Sequence, residues 1–256
     1  MFSRGAASCY VSIQNIFRFL VFSAVALQSP QIFAQHSPNV GLISGIVISG
    51  DGEEAGVWVI AETDDLPTHF TKIVVTDDQG RFVLPELPDA LFKVWVRGYG
   101  LLDSDPVQLR TGTEDIKLRT FTAQDPLLAA EVYPANYWYS LMQVPAETEF
   151  PGTGRGGNGI SEAMYSQDKW LDLTKQGCQL CHQLGNKATR TLDHLSHLDF
   201  ASSVQAWQYR TAMGIRGSFM TRYANRFGPR GMEMYADWTD RIAAGEIPPE
   251  PPRPEG

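Results

Sequence analysis

Cys178, Cys181 and His182 stand in the order Cys-x-x-Cys-His: two thiols three positions apart, followed at once by an imidazole. That spacing suits covalent attachment of one c-type haem. Each thiol forms a thioether to a vinyl group, and the imidazole lies under the iron as proximal ligand. The short interval holds two sulfurs and one nitrogen on one side of a planar macrocycle. A six-coordinate iron needs a second ligand on the opposite face. Met232, directly after Gly231 at the edge of the expected last helix, is the first choice, with Met220 close behind it and Met234 and Met213 as further alternatives. His194 and His197, 12 and 15 residues beyond His182, would make a bis-histidine site. Methionine would set a higher potential and histidine a lower one. For each methionine taken singly, ordinary core packing is the competing expectation. An open sixth position would instead make a gas-binding or catalytic haem.

The compartment agrees with that chemistry. Residues 1–34 have the layout of a secretory signal: Arg4 and Arg18, an apolar run from Phe19 to Leu27, then Ala34 before Gln35. The run is too short to span a bilayer, so a cleaved peptide is expected and no membrane anchor after cleavage. The mature protein is expected to be exported, periplasmic or extracellular. Of the three cysteines, Cys9 leaves with the peptide, and Cys178 and Cys181 remain as the only thiols. A disulfide scaffold would need more pairs. The rival uses are a local disulfide, a thioredoxin-like redox pair without its βαβ context, and a Cys2His2 zinc site completed by His194 and His197.

Charge sets further bounds. Loss of Arg4 and Arg18 takes the formal charge from −8 to −10, which argues against nucleic acid or an anionic membrane as partner. Against that background Arg210, Arg216, Arg222, Arg226 and Arg230 fall together with no acidic side chain among them. They suit a solvated helix face, pairing with haem propionates, or docking of an acidic redox partner. Acidic residues are scattered through turns and build no paired-carboxylate or triad site. An electron carrier is expected rather than an enzyme.

Two dissimilar halves must position these residues. Over residues 40–122, apolar and β-branched runs at Ile43–Ile48, Val57–Ala61, Ile73–Thr76, Arg81–Leu84, Phe92–Val96 and Ile116–Leu118 alternate with Gly, Asp and Pro turns. They predict a small antiparallel β-sandwich, with Val57, Val59 and Ala61 facing its core and Trp58 on the other face. Residues 123–160 read as a linker: Tyr133 to Tyr139 opens a short helix at Pro134, whose aromatics are expected to pack against one of the domains or, as the alternative, to face a cofactor, and Gly152 to Gly157 forms a flexible stretch. That stretch satisfies G-x-G-x-x-G, but a loop precedes it where nucleotide binding needs a strand. Residues 161–246 are helical: Ser161 to Lys175 ending near Gly177, then about Ser202–Met213, Ser218–Arg226 and Arg230–Ala244. Residues 247–256 form a proline-rich tail of linker character. The fold class is therefore multidomain, all-β followed by all-α.

Ser44-Gly45-Ile46-Val47, Val57 to Ala61, the hairpin Thr76-Asp77-Asp78-Gln79-Gly80-Arg81-Phe82, Leu87-Pro88 and Val94 to Gly100 together resemble the carboxypeptidase regulatory-like family. That resemblance implies a transthyretin-like sandwich acting as a rigid accessory or binding module, with no peptidase activity. Residues 161–256 look like a small cytochrome c domain through Cys-x-x-Cys-His and the helices after it, although no Met-Pro loop marks the distal ligand. The whole combination is similar to exported bacterial proteins that continue into a β-propeller related to streptogramin lyases. It implies a periplasmic redox partner and a propeller domain or subunit. Two other classes remain open: a scaffold whose Cys-Cys-His cluster binds zinc or nothing, and the haem portion of a larger lyase-like or dehydrogenase protein.

Overall fold

The structure, a computed structural model, describes residues 40–50 and 52–253. The expected signal segment and Cys9 lie outside the described residues. Among those residues no helix is long and apolar enough to cross a membrane. Two four-stranded sheets are followed by several helices, all within one compact unit.

One sheet joins β1 (Val40–Ser49), β2 (Gly52–Glu53), β5 (Arg81–Pro88) and β8 (Ile116–Arg119). The other has the order β4 (Phe70–Val75), β3 (Trp58–Thr63), β6 (Leu91–Arg97), β7 (Val107–Arg110). Pairing is antiparallel except that β8 runs parallel to β1. The period of two directs the core: Val57, Val59 and Ala61 meet Phe92, Val94 and Val96 from the same sheet and Ile43, Val47, Leu84 and Leu118 from the other. In β5 the inward residues Leu84 and Leu87 are three apart, because Glu86 at φ 52° inserts a bulge where β1 also slips register at Gly41/Ile43. The Thr76–Phe82 hairpin is tied by Asp77 Oδ1, which accepts from the Gln79 and Arg81 N–H groups, and by Gly80 at φ 68°. Strands β2 and β7 lack a sequence signal; β2 has only two residues, and β7 is exposed at three of its four positions, so it shows no alternation.

Two short helices, α1 (Pro126–Ala130) and α2 (Ala135–Ser140), lie between sandwich and helical region. They form a packed wedge where the sequence suggests a linker. Tyr133 meets Tyr99 of the sandwich edge to face at 5.7 Å, and Trp138 donates to the Ala130 carbonyl. Trp238 Nε1 in turn donates to the Trp138 carbonyl. The glycine-rich stretch is likewise tied down: the Asn158 side chain binds the Thr153 N–H and the Glu149 carbonyl, and Gly154 N–H reaches Ile160. The proline-rich tail folds back on the sandwich, where Arg253 pairs with Glu54 at 3.1 Å and Pro251 is buried.

In the helical region α3 (Gln167–Leu173) begins six residues after Ser161, because Ser166 supplies the cap, its Oγ accepting from Lys169 N–H. The chain then passes into a π-helical turn, Thr174–Gln179, so Gly177 does not end the helix. After α4 (Lys187–Arg190) come α5 (Ser203–Ala212), α6 (Gly217–Asn225) and α7 (Pro229–Ala243), close to their expected positions. Trp170, Phe227 and Trp238 are fully buried among them.

Candidate functional site

The Cys-x-x-Cys-His sequence occupies one helical turn. The Cys178 carbonyl accepts from the N–H of Cys181 at 3.4 Å and of His182 at 3.0 Å. Residues i, i+3 and i+4 share a face of a regular helix, but here Cys178 turns toward the helical core while Cys181 and His182 face solvent. Both cysteines are free thiols. Cys181 and His182 are exposed, and neither side chain has a partner among the described residues.

Cys178 is different. It packs against the helical core, and its Sγ accepts a hydrogen bond from Tyr235 Oη at 3.2 Å. Burial pushes its thiol pKa up, partly offset by that hydrogen bond. The Tyr235 phenol is itself fully enclosed and held well above its ordinary value by burial and by the adjacent sulfur. Tyr139 of the wedge closes the same corner; its phenol is raised by burial and by Cys178.

The turn can sit this close because of Gly177: a Cβ there would lie 2.5 Å from the Tyr223 ring of α6. Phe219, one turn earlier on α6, packs on Tyr223 at 4.7 Å and is 37% exposed, and Leu180 within the motif is 73% exposed. Apolar surface therefore lies bare beside the turn. Arg226 stands over Tyr223, and Arg216, Arg222 and Arg226 have no carboxylate partner among the described residues. The other two arginines of the cluster are structural. Arg210 donates to the Ala188, Thr189 and Thr191 carbonyls and stacks on Trp207; Arg230 pairs with Glu149 and Glu233.

The remaining candidates separate by burial. Met232 is buried in the helical core one turn before Tyr235, on the face of α7 that reaches Cys178. Met234 is also buried, and its sulfur accepts from Trp170 Nε1 at 3.4 Å. Met220 is half-buried on α6, while Met213, His194 and His197 are exposed. Among the described residues no three His, Cys, Asp or Glu side chains are grouped so as to hold a metal ion. His69 is exposed and bonded to Asp64 and Thr71.

Segment 183–190, directly after His182, is fastened from behind. Arg190, with only 4% of its side chain exposed, stacks at 4.0 Å on Trp138 and donates to the Gly185 carbonyl and to Glu131. Arg190, Tyr235 and Tyr223 do not stand out in the sequence, while Tyr139 shows there only as part of the aromatic run Tyr133 to Tyr139. Their contacts with the turn are long-range and leave no local spacing signal.

Fold and site together define a β-sandwich joined to a helical region that presents two free thiols and an imidazole on one turn. No protein-family model matches the chain, and no curated protein matches it. Among solved structures it is similar to a streptococcal ancillary pilin, at 13% identity and TM-score 0.29, over 34% of this chain and 30% of that one. A 3-chlorocatechol 1,2-dioxygenase from Rhodococcus opacus 1CP matches at 14% identity and TM-score 0.28, over 34% and 61%. A putative carbohydrate binding protein from Pseudomonas aeruginosa matches at 15% identity and TM-score 0.21, over 32% and 88%. The chain thus spans less than two thirds of the first two, and likenesses at these scores carry no functional argument.

Proposed function

We propose that the chain is an exported mono-haem protein of the c type that carries electrons, with the sandwich as an accessory module. The observation that supports this reading is the Cys-x-x-Cys-His sequence on a single hydrogen-bonded turn, with both thiols free. The surroundings fit the group: a close approach that only Gly177 permits, bare apolar surface at Leu180 and Phe219, and arginines without carboxylate partners.

Haem c, when bound there, supplies a one-electron couple. Cys178 and Cys181 would hold it through two thioethers, and His182 would ligate its iron. Tyr223 and Phe219 would give it apolar surface to lie against. Arg226 and Arg222, without carboxylate partners among the described residues, would pair with its propionates. Met232, buried one turn from Tyr235, would be the second iron ligand, with Met220, Met234, Met213, His194 and His197 as alternatives. Arg216, at the N-terminal end of α6, would meet an acidic redox partner.

The chain expressed with haem-maturation machinery tests this reading. The tryptic peptide Gln176–Lys187 is expected to gain the mass of one haem, and to lose it in a Cys178→Ser, Cys181→Ser double variant. A peptide of unmodified mass, or bound zinc in a colourless protein, overturns it.

A further inference from the structure

Tyr235 has no part in holding haem by the sequence motif, yet its hydroxyl reaches the sulfur of Cys178 at 3.2 Å. It is an immobile donor. Trp207 packs on its ring at 4.9 Å, and Trp207 Nε1 donates to Thr239 Oγ1, whose hydroxyl donates back to the Tyr235 carbonyl. With 3% of its surface exposed, Tyr235 has no access to water as an alternative acceptor. Cys178 is thus fixed against the core from one side, while Cys181 projects into solvent three residues later.

We propose that Tyr235 is a positioning residue for Cys178, and that the two thiols consequently react in a fixed order, Cys181 first and Cys178 second. This rests on the haem-attachment reading for the nature of the electrophile, a vinyl group. In each addition the S–H bond breaks and a C–S bond forms at one vinyl carbon, and the proton ends on the other; no electron is gained or lost and nothing leaves. Cys181 meets an incoming vinyl group without rearrangement of the chain. Once it is joined, the second vinyl group is tethered beside Cys178, and a restrained thiol that is slow toward external reagents reacts intramolecularly. The Tyr235 hydrogen bond survives the reaction, because a thioether sulfur is still a weak acceptor.

Two measurements test it. In the unloaded native chain, iodoacetamide labelling followed by peptide mapping is expected to modify Cys181 about tenfold faster than Cys178. Tyr235→Phe removes the donor that favours the Cys178 thiolate, so it is expected to lower the Cys178 rate severalfold and leave Cys181 unchanged. Equal rates in the wild type, or a ratio unmoved by Tyr235→Phe, overturn the positioning role; the wild-type ratio decides even where the variant does not fold. In the second measurement haem is made limiting during maturation. Singly attached chains are expected to carry it on Cys181 with Cys178 open to alkylation, and attachment through Cys178 alone overturns the order. Failure to take up haem at all sinks the haem reading and the order with it, while the labelling result still decides what Tyr235 does.

Discussion

Cys178 and Cys181 look interchangeable in the sequence, and the fold makes them unlike. The motif itself is fully legible, since its chemistry depends on spacing within one turn. The corner built around Cys178 is not, because Tyr235 lies 57 positions away and tyrosine on an amphipathic helix reads as core. That corner has a consequence for pH. Burial raises the Cys178 thiol above its usual 9.0, so the folded unloaded chain holds the proton more tightly than the unfolded chain does. The associated stability is complete below the unfolded pKa and is lost as pH rises through the folded one. A melting-temperature series on the unloaded chain is therefore expected to be flat at neutral pH and to fall above about pH 9. The fall should be shallower in Cys178→Ser. Identical alkaline slopes for the two chains would contradict the buried, protonated thiol.

At the scale of elements, the turn holds its place through two fastenings, one in front and one behind. Gly177 reads from sequence as a helix stop, since glycine commonly ends helices. Here it is needed inside the π-helical turn for close contact with Tyr223. Gly177→Ala is expected to cost about 1–3 kcal/mol in urea denaturation, as the Tyr223 ring must shift. An unchanged midpoint would show that the two elements are not in contact. Behind the turn, Arg190 stacks on Trp138 and bonds Gly185. Arg190→Ala is expected to destabilise by about 2–3 kcal/mol, and Arg190→Lys to recover little, since an ammonium supplies neither the planar stack nor the fork. Full recovery by lysine would reduce Arg190 to a point charge. Helices α5, α6 and α7 were legible because Ser202, Gly214 and Gly217, and Gly228 with Pro229 punctuate them. The start of α3 was not, because Ser161 and Ser166 are equally good caps in isolation and only packing of Trp170 selects the later one.

For the whole molecule, alternation and turn residues were enough to read the sandwich, whereas the joining of the halves was hidden. Residues that look like linker, from Tyr133 to Tyr139 and from Ile247 to Arg253, are packed. Tyr133, Trp138 and Ile247 share one apolar cluster with Tyr99 of the sandwich and Ile242 of α7. The aromatic run suggests packing against one domain; its composition does not show that Tyr133 and Trp138 find partners on both sides. The sandwich and helical region are expected to unfold in one calorimetric transition, which Trp138→Ala splits or broadens, and two separated transitions in the wild type would contradict the shared cluster. The account as a whole depends on haem at Cys178, Cys181 and His182. Its most direct test is the absorption spectrum, oxidised and reduced, of the full chain from a host with haem-maturation machinery, taken after acid-acetone extraction. The predicted result is a Soret band that stays with the protein and shifts on reduction. A colourless protein, or colour that passes into the acetone, would contradict it.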